Sequence, residues 1–266
     1  MDTVVISSDE EEPESKPVVA TRKRPVAACE PENEKEVTIR KRSTFLTKDD
    51  RLHAEYLLDG CPDDVMCTKF NLTIFRQDLH SLAPGKWLND NVINFYLAMI
   101  ADRSQEMGFP SVYAMSTFFS SKLLNGGGYN AVRRWTHGMD IFAYELILIP
   151  VHLRVHWTLA VIDIPGQSIQ YYDSLGGTHD QLLKALEVYL AKESRDKRKK
   201  KLDTTKWSKE HVAAMPRQTN FNDCGVYVCF IAEHLTRQRR LRFRKKNVPD
   251  YRTQMLLEIY EECLRL

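Results

Sequence analysis

One cysteine in this chain sits where a nucleophile would. In PRQTNFNDCGVYVCFIAEHL, residues 216–235, Cys224 follows the polar run Asn220 to Asp223 and precedes an apolar run with helical character. Its sulfur is therefore expected at a helix N-terminus, where free backbone N–H groups and the helix dipole favour a thiolate. Cysteine pKa values at such sites fall from ~8.5 to ~4–7. Gly225 is expected to leave room beside the thiol for an approaching carbonyl. Taken alone, the dipeptide also fits a small buried hydrophobe, the commonest condition of a cysteine. That plainer reading holds for Cys229, inside the apolar run.

A thiolate that cleaves an acyl bond needs a base and a group to orient it. His156 opens the apolar run VHWTLAVIDI, and Asp173 closes the next one, IQYYD. Pro165-Gly166 between them signals a turn. An even-numbered loop sets Thr158 opposite Asp173, with His156 diagonal to it and in side-chain reach. An odd loop puts the two on opposite faces, leaving a strand-end histidine and a turn aspartate. No metal chemistry is expected. His152 and His156 could share a strand face but lack a third ligand nearby, HExxH and CxxC are absent, and Cys61 and Cys67 have no second pair. Neither phosphate-binding glycine motif occurs, and Gly126 to Gly128 reads as a loop.

The elements that must position these residues follow from periodicity. Helices are expected over Asp50 to Leu58, Trp87 to Ala101 (capped by Asn89 or Asp90), Ser116 to Leu124, Ala131 to Trp135 and Asp180 to Lys192. Cys224 to Leu235 is apolar almost all round, which implies a core helix. Tyr251 to Leu264 reads as a surface helix. Glu145 to Val151, Val155 to Ile164 and Ile169 to Asp173 read as strands, the first two buried. Strands flanked by helices without a regular βαβ repeat indicate α+β.

Composition bounds the rest. The chain has 266 residues, 43% of them hydrophobic, which fits one large domain or one domain plus a tail. Residues 1–47 are rich in Glu, Lys, Pro and Ser, with Phe45 the only aromatic, and are expected to be a disordered tail. Residues 48–266 are expected to be the folded domain. A net charge of +2 gives no bulk argument for nucleic acid, which is not expected as a partner. Six cysteines without paired spacing point to a reducing, intracellular compartment rather than a disulfide framework. No signal-peptide core opens the sequence, and the most apolar stretch, Ile141 to Leu153, falls far short of the ~18 residues of a membrane span.

The stretches WLNDNVINFY (87–96), RRWT (133–136), VHWTLAVID (155–163), YYDSLGG (171–177) and Gln218 through Asp223-Cys224-Gly225 together resemble the SUMO-specific (sentrin-specific) Ulp/SENP cysteine proteases. The resemblance covers residues 48–266, with the motifs in the family's order. It implies a papain-like fold with the permuted order His, Asp, Cys, a central mixed sheet and a buried helix bearing the nucleophile. His156 then matches the general base, Asp173 its orienting carboxylate, Cys224 the nucleophile and Gln218 the side-chain donor of the oxyanion hole. Trp87 and Trp157 match two indoles roofing a narrow tunnel over the substrate's Gly-Gly, a slot too flat for a Cβ. Trp87 by itself also reads as a core aromatic. Asp90 could cap a helix, meet a basic residue of SUMO, or both, and Val155 matches a backbone-contact position. Leu175 stands where Met is frequent, a departure that touches nothing catalytic.

The implied activity is cleavage after the C-terminal Gly-Gly of SUMO, in conjugates, precursors or both, by an enzyme expected to act as a monomer without a cofactor. A protease for another ubiquitin-like protein such as NEDD8 is the alternative. A non-catalytic SUMO-binding adaptor is disfavoured by the intact Cys224, His156, Asp173 and Gln218, and an acetyltransferase on a similar triad by the tunnel tryptophans. In the tail, Val4-Val5-Ile6 before Ser7-Ser8-Asp9-Glu10-Glu11-Glu12 resembles a SUMO-interaction motif, which would add a strand to a sheet edge. Phosphorylation of Ser7 or Ser8 would add charge to that contact. Arg22-Lys23-Arg24 and Arg40-Lys41-Arg42 read as signals for nuclear import receptors. Residence in the nucleus, its periphery included, with some in the cytoplasm is expected. The basic runs Lys197 to Lys201 and Arg239 to Lys246 read as solvated faces.

Overall fold

The computed structural model of the chain describes residues 46–266 apart from Met107, Phe243 and Leu266. The tail readings, Val4 to Ile6 and the two basic import signals, lie outside the described residues. A five-stranded mixed sheet organises the domain. It is built from β3 (Val112–Ala114), β4 (Leu146–His152), β5 (Trp157–Asp163), β6 (Ser168–Tyr172) and β7 (Ser208–His211), in that spatial order. The β4–β5 and β5–β6 pairs are antiparallel, and the two outer pairs are parallel. A separate hairpin joins β1 (Val65–Lys69) to β2 (Leu72–Phe75).

Helices cover both faces of the sheet, which is why β4 and β5 read as continuous apolar runs. On one face, Leu148, Leu159, Val161 and Tyr172 pack with α3 (Asp90–Arg103), α7 (Cys224–Thr236) and α8 (Val248–Tyr260). On the other, Ile147, Ile149, Ala160, Ile162 and Tyr171 pack with α4 (Phe119–Asn125), α5 (Tyr129–Val132) and α6 (Asp180–Lys197). The helix α1 (Lys48–Leu58) lies against α8, and the short α2 (Arg76–Leu79) follows β2. The core helix α7 is buried continuously from Cys224 to Ala232, as its all-round apolar sequence requires. Among the described residues no helix is long and apolar enough to cross a membrane.

Several boundaries differ from the sequence reading. Trp87 and Leu88 precede α3 rather than open it, because Asn89 takes the N-cap role, its side chain accepting from Val92 N at 3.0 Å. The expected helix at Ala131 to Trp135 lies earlier, at Tyr129–Val132. The expected surface helix is displaced and is not superficial. It spans Val248–Tyr260 with Val248, Tyr251, Arg252 and Met255 through Ile259 buried. Its charged residues read as solvent-facing, yet they are satisfied internally. Glu258 accepts from Tyr96 Oη at 2.7 Å, Gln254 Nε2 at 2.8 Å and Arg265 N at 2.8 Å.

Candidate active site

The site forms where the β4–β5 turn, the end of β6 and the start of α7 meet. Between Asp163 and Ser168, which pair, lie four residues, the even-numbered loop on which the His–Asp geometry depended. Leu159 pairs with Tyr172, so the same register extended by one residue sets Thr158 beside Asp173. His156 lies one residue before β5, in a tight turn closed by Leu153 N donating to His156 O at 2.7 Å and made possible by Arg154 at φ 56°. Its Nε2 stands 2.7 Å from Asp173 Oδ1.

Asp173 is buried and held from three sides. Besides His156, its oxygens accept from Leu175 N at 2.7 Å and Gly177 N at 3.0 Å. Gly177 has to be glycine here, since a Cβ would stand 2.6 Å from Asp173 Oδ2. Burial works against the carboxylate's charge, but the His156 hydrogen bond and the two backbone donors hold its pKa below the ordinary value. Burial likewise opposes a charged His156, and hydrogen bonds to Asp173 and to Cys224 outweigh it, raising the imidazole to about 9. With Nε2 on Asp173, Nδ1 is the ring nitrogen left for Cys224.

Cys224 is the first residue of α7, as expected, and is buried. Cys229, about a turn and a half further on, is also buried, and desolvation pushes its thiol up. Gly225 has a packing role the sequence did not suggest. A Cβ there would meet Leu88 Cβ at 2.8 Å and Ile93 Cδ1 at 3.5 Å, so its bareness permits close packing of α7 on the start of α3.

Gln218 is buried beside Asp173. Its Oε1 accepts from Ser174 Oγ at 2.6 Å, its backbone N–H donates to Ser174 O at 3.1 Å, and one N–H of its amide donates to Asn220 O at 2.8 Å. The amide thus has one further N–H beyond the bond to Asn220 O. The neighbouring Arg217 ties the same loop to the carboxylate's strand end, donating from Nη1 to Asp173 O at 2.6 Å.

The remaining expected residues divide by exposure. Trp157 is buried, stacks on His152 with ring centroids 4.3 Å apart, and donates from Nε1 to Leu88 O at 3.0 Å. That bond ties the strand next to His156 to the segment carrying Trp87, whose side chain is 40% exposed. Val155 and Leu175 are exposed on the turns flanking His156 and Asp173, and Asp90 is the first residue of α3 beyond the Asn89 cap. Among the described residues no group of three or more His, Cys, Asp or Glu could hold a metal. Reading the sequence missed Ser174, which directly follows Asp173 but whose hydroxyl carries no motif signal. It also missed Arg252, whose charge lies in a helix read as superficial.

Comparison with known proteins identifies the family. Residues 86–266 match the family model described as the Ulp1 protease family, C-terminal catalytic domain. The chain is 42% identical over 206 residues to a sentrin-specific protease of Caenorhabditis elegans, a match covering 77% of this chain and 29% of that protein. It is 39% identical over 209 residues to sentrin-specific protease 2 of Rattus norvegicus, covering 77% and 35%. The match thus spans about a third of the length of these relatives. The structure is similar to the C-terminal Ulp1 protease domain solved in complex with Smt3, the yeast ortholog of SUMO. The TM-score is 0.73 at 28% identity, covering 83% of this chain and 97% of that one.

Proposed function

Because the chain belongs to the Ulp1 protease family, we propose that it is a thiol protease that cleaves after the C-terminal Gly-Gly of SUMO, freeing it from target lysines and from precursor extensions. The observation that carries the reading is the His156 ring, hydrogen-bonded to Asp173 and raised in pKa by both Asp173 and Cys224, which opens the core helix α7. Solved in complex with Smt3, the similar yeast domain supports SUMO as the substrate.

In this reaction Cys224 Sγ attacks the carbonyl carbon of the terminal glycine. The carbonyl oxygen gains the electron pair and takes hydrogen bonds from the free Gln218 amide N–H and the Cys224 backbone N–H. Losing one such donor typically costs ~10²–10³ in rate. The C–N bond then breaks as His156 gives its proton to the leaving amine, producing a thioester. Water attacks that thioester with His156 as base, and Cys224 leaves. Asp173 holds the ring in register throughout and stabilises its positive charge. Trp87 and Trp157 flank the approach and leave room for glycines only, which makes Gly-Gly the recognised terminus. Asp90 and Val155 contribute contacts to SUMO outside the tunnel.

The tail adds a second SUMO contact through Val4 to Ile6, and its basic runs engage import receptors for residence in the nucleus. The enzyme works as a monomer. Incubation of the purified chain with fluorogenic amides of SUMO, NEDD8 and ubiquitin tests the reading. Turnover of SUMO alone is expected, and preferential turnover of NEDD8 would replace it with the alternative substrate.

A further inference from the structure

Arg252 is a charged side chain in the interior, 3% exposed, on a helix whose other buried residues are apolar except for Glu258. A buried guanidinium is costly unless its donors are matched, and here they are matched by two separate loops. One loop leads to Trp87. Arg252 donates from Nη1 to Ser81 O at 3.3 Å and Ala83 O at 3.4 Å, and from Nη2 to Lys86 O at 2.8 Å. The other leads to Cys224. Arg252 Nη2 reaches Asn222 O at 2.8 Å and Asp223 Oδ1 at 2.7 Å, and Nε reaches the same carboxylate oxygen at 3.1 Å. A second link runs between the same loops, from Asn222 Nδ2 to Gly85 O at 3.0 Å.

From this convergence we infer that Arg252 is a positioning residue that sets the distance between the Trp87 rim and Cys224. It touches neither the triad nor the substrate. It acts through residues 86 and 223, each the immediate neighbour of a working residue. A shorter or apolar side chain frees the first loop from the second. The thiol keeps its place at the start of α7 and its chemistry, while the rim no longer delivers Gly-Gly to it. A displacement of about 1 Å at a scissile bond costs on the order of 10²-fold in rate. The inference rests on the reading of the cleft as a Gly-Gly tunnel.

The test separates thiol chemistry from substrate delivery in one set of proteins. For Arg252→Lys, which keeps the charge but not the fork, kcat/KM on a fluorogenic SUMO amide is expected to fall about ten- to hundredfold. Alkylation of Cys224 by iodoacetamide is expected to stay within about twofold. Asn222→Ala, which removes the second link without burying a charge, is expected to show the same split more weakly, and it serves if the arginine variant does not fold. Turnover equal to the parent's in a folded variant, or alkylation falling in parallel with turnover, overturns the inference. A parent enzyme that leaves the SUMO amide intact refutes instead the reading on which it rests.

Discussion

Ser174 donates its hydroxyl to Gln218 Oε1 at 2.6 Å, and the bond decides which way the Gln218 amide faces. With the oxygen committed to Ser174, the NH2 end is turned toward Asn220 O. Ser174→Ala should leave the amide free to turn, placing its oxygen where the oxyanion forms in part of the molecules. A loss in kcat of up to about tenfold is expected, smaller than the ~10²–10³ for Gln218→Ala, with KM nearly unchanged. Steady-state kinetics on both variants checks the order, and an unaffected Ser174→Ala would show that Gln218 is oriented by Asn220 and the backbone alone.

The raised His156 pKa gives a pH signature. The folded chain keeps the imidazole protonated up to about 9, whereas the unfolded chain releases that proton near 6.5. Stability from this pair is therefore full below about 6.5 and is lost as pH rises through about 9. The same proton is the one given to the leaving amine, so the alkaline limb of kcat/KM should lie near pH 9. Asp173→Asn removes the carboxylate that outweighs burial and should move that limb toward lower pH. A limb that stays in place in the variant would show that Asp173 does not set the charge on His156.

Gly225 packs on Leu88, and Leu88 O holds the Trp157 indole. Gly225→Ala forces Leu88 away and should cost about 1–3 kcal/mol, the usual range for an overpacked core. It should also loosen Trp157 beside the base. Thermal melts and kcat/KM measured together are expected to fall together. A variant with unchanged melting temperature would contradict the tight contact.

Trp157 is both a core residue and a proposed tunnel wall, and a milder change separates the two. Trp157→Phe keeps most of the packing and loses the bond to Leu88 O, worth about 0.5–1.5 kcal/mol. Turnover of the SUMO amide should drop well beyond what that stability loss explains, in kcat as well as KM. A SUMO whose last glycine is replaced by alanine should resist the parent enzyme. A near-normal kcat in the folded Trp157→Phe enzyme would reduce Trp157 to a packing residue.

What could be read from the sequence was whatever had a local cause. Cys224 at a helix start follows from a polar run meeting an apolar one, and the His156–Asp173 contact from loop parity in one hairpin. What escaped depended on distant partners. Arg252 and Glu258 look like solvent-facing charges until the carbonyls of residues 81–86 and the hydroxyl of Tyr96 are brought to them. The β1–β2 hairpin turns through Phe70 and Asn71, both at positive φ, without the glycine that normally announces such a turn. The edge strand Ser208–His211 is mostly exposed and has no apolar alternation to reveal it. Gly225 was placed correctly beside the thiol, but which side it faces is set by α3, far away in sequence.

The central claim is that Cys224 is a nucleophile delivered to the C-terminal glycine of SUMO. Reaction of the full chain with SUMO ending in a thiol-reactive electrophile, followed by peptide mapping of the adduct, tests it most directly. One adduct is expected, on Cys224, absent from Cys224→Ala and absent when ubiquitin or NEDD8 carries the electrophile. An adduct on Cys61 or Cys263, or SUMO labelling that persists in Cys224→Ala, would contradict it.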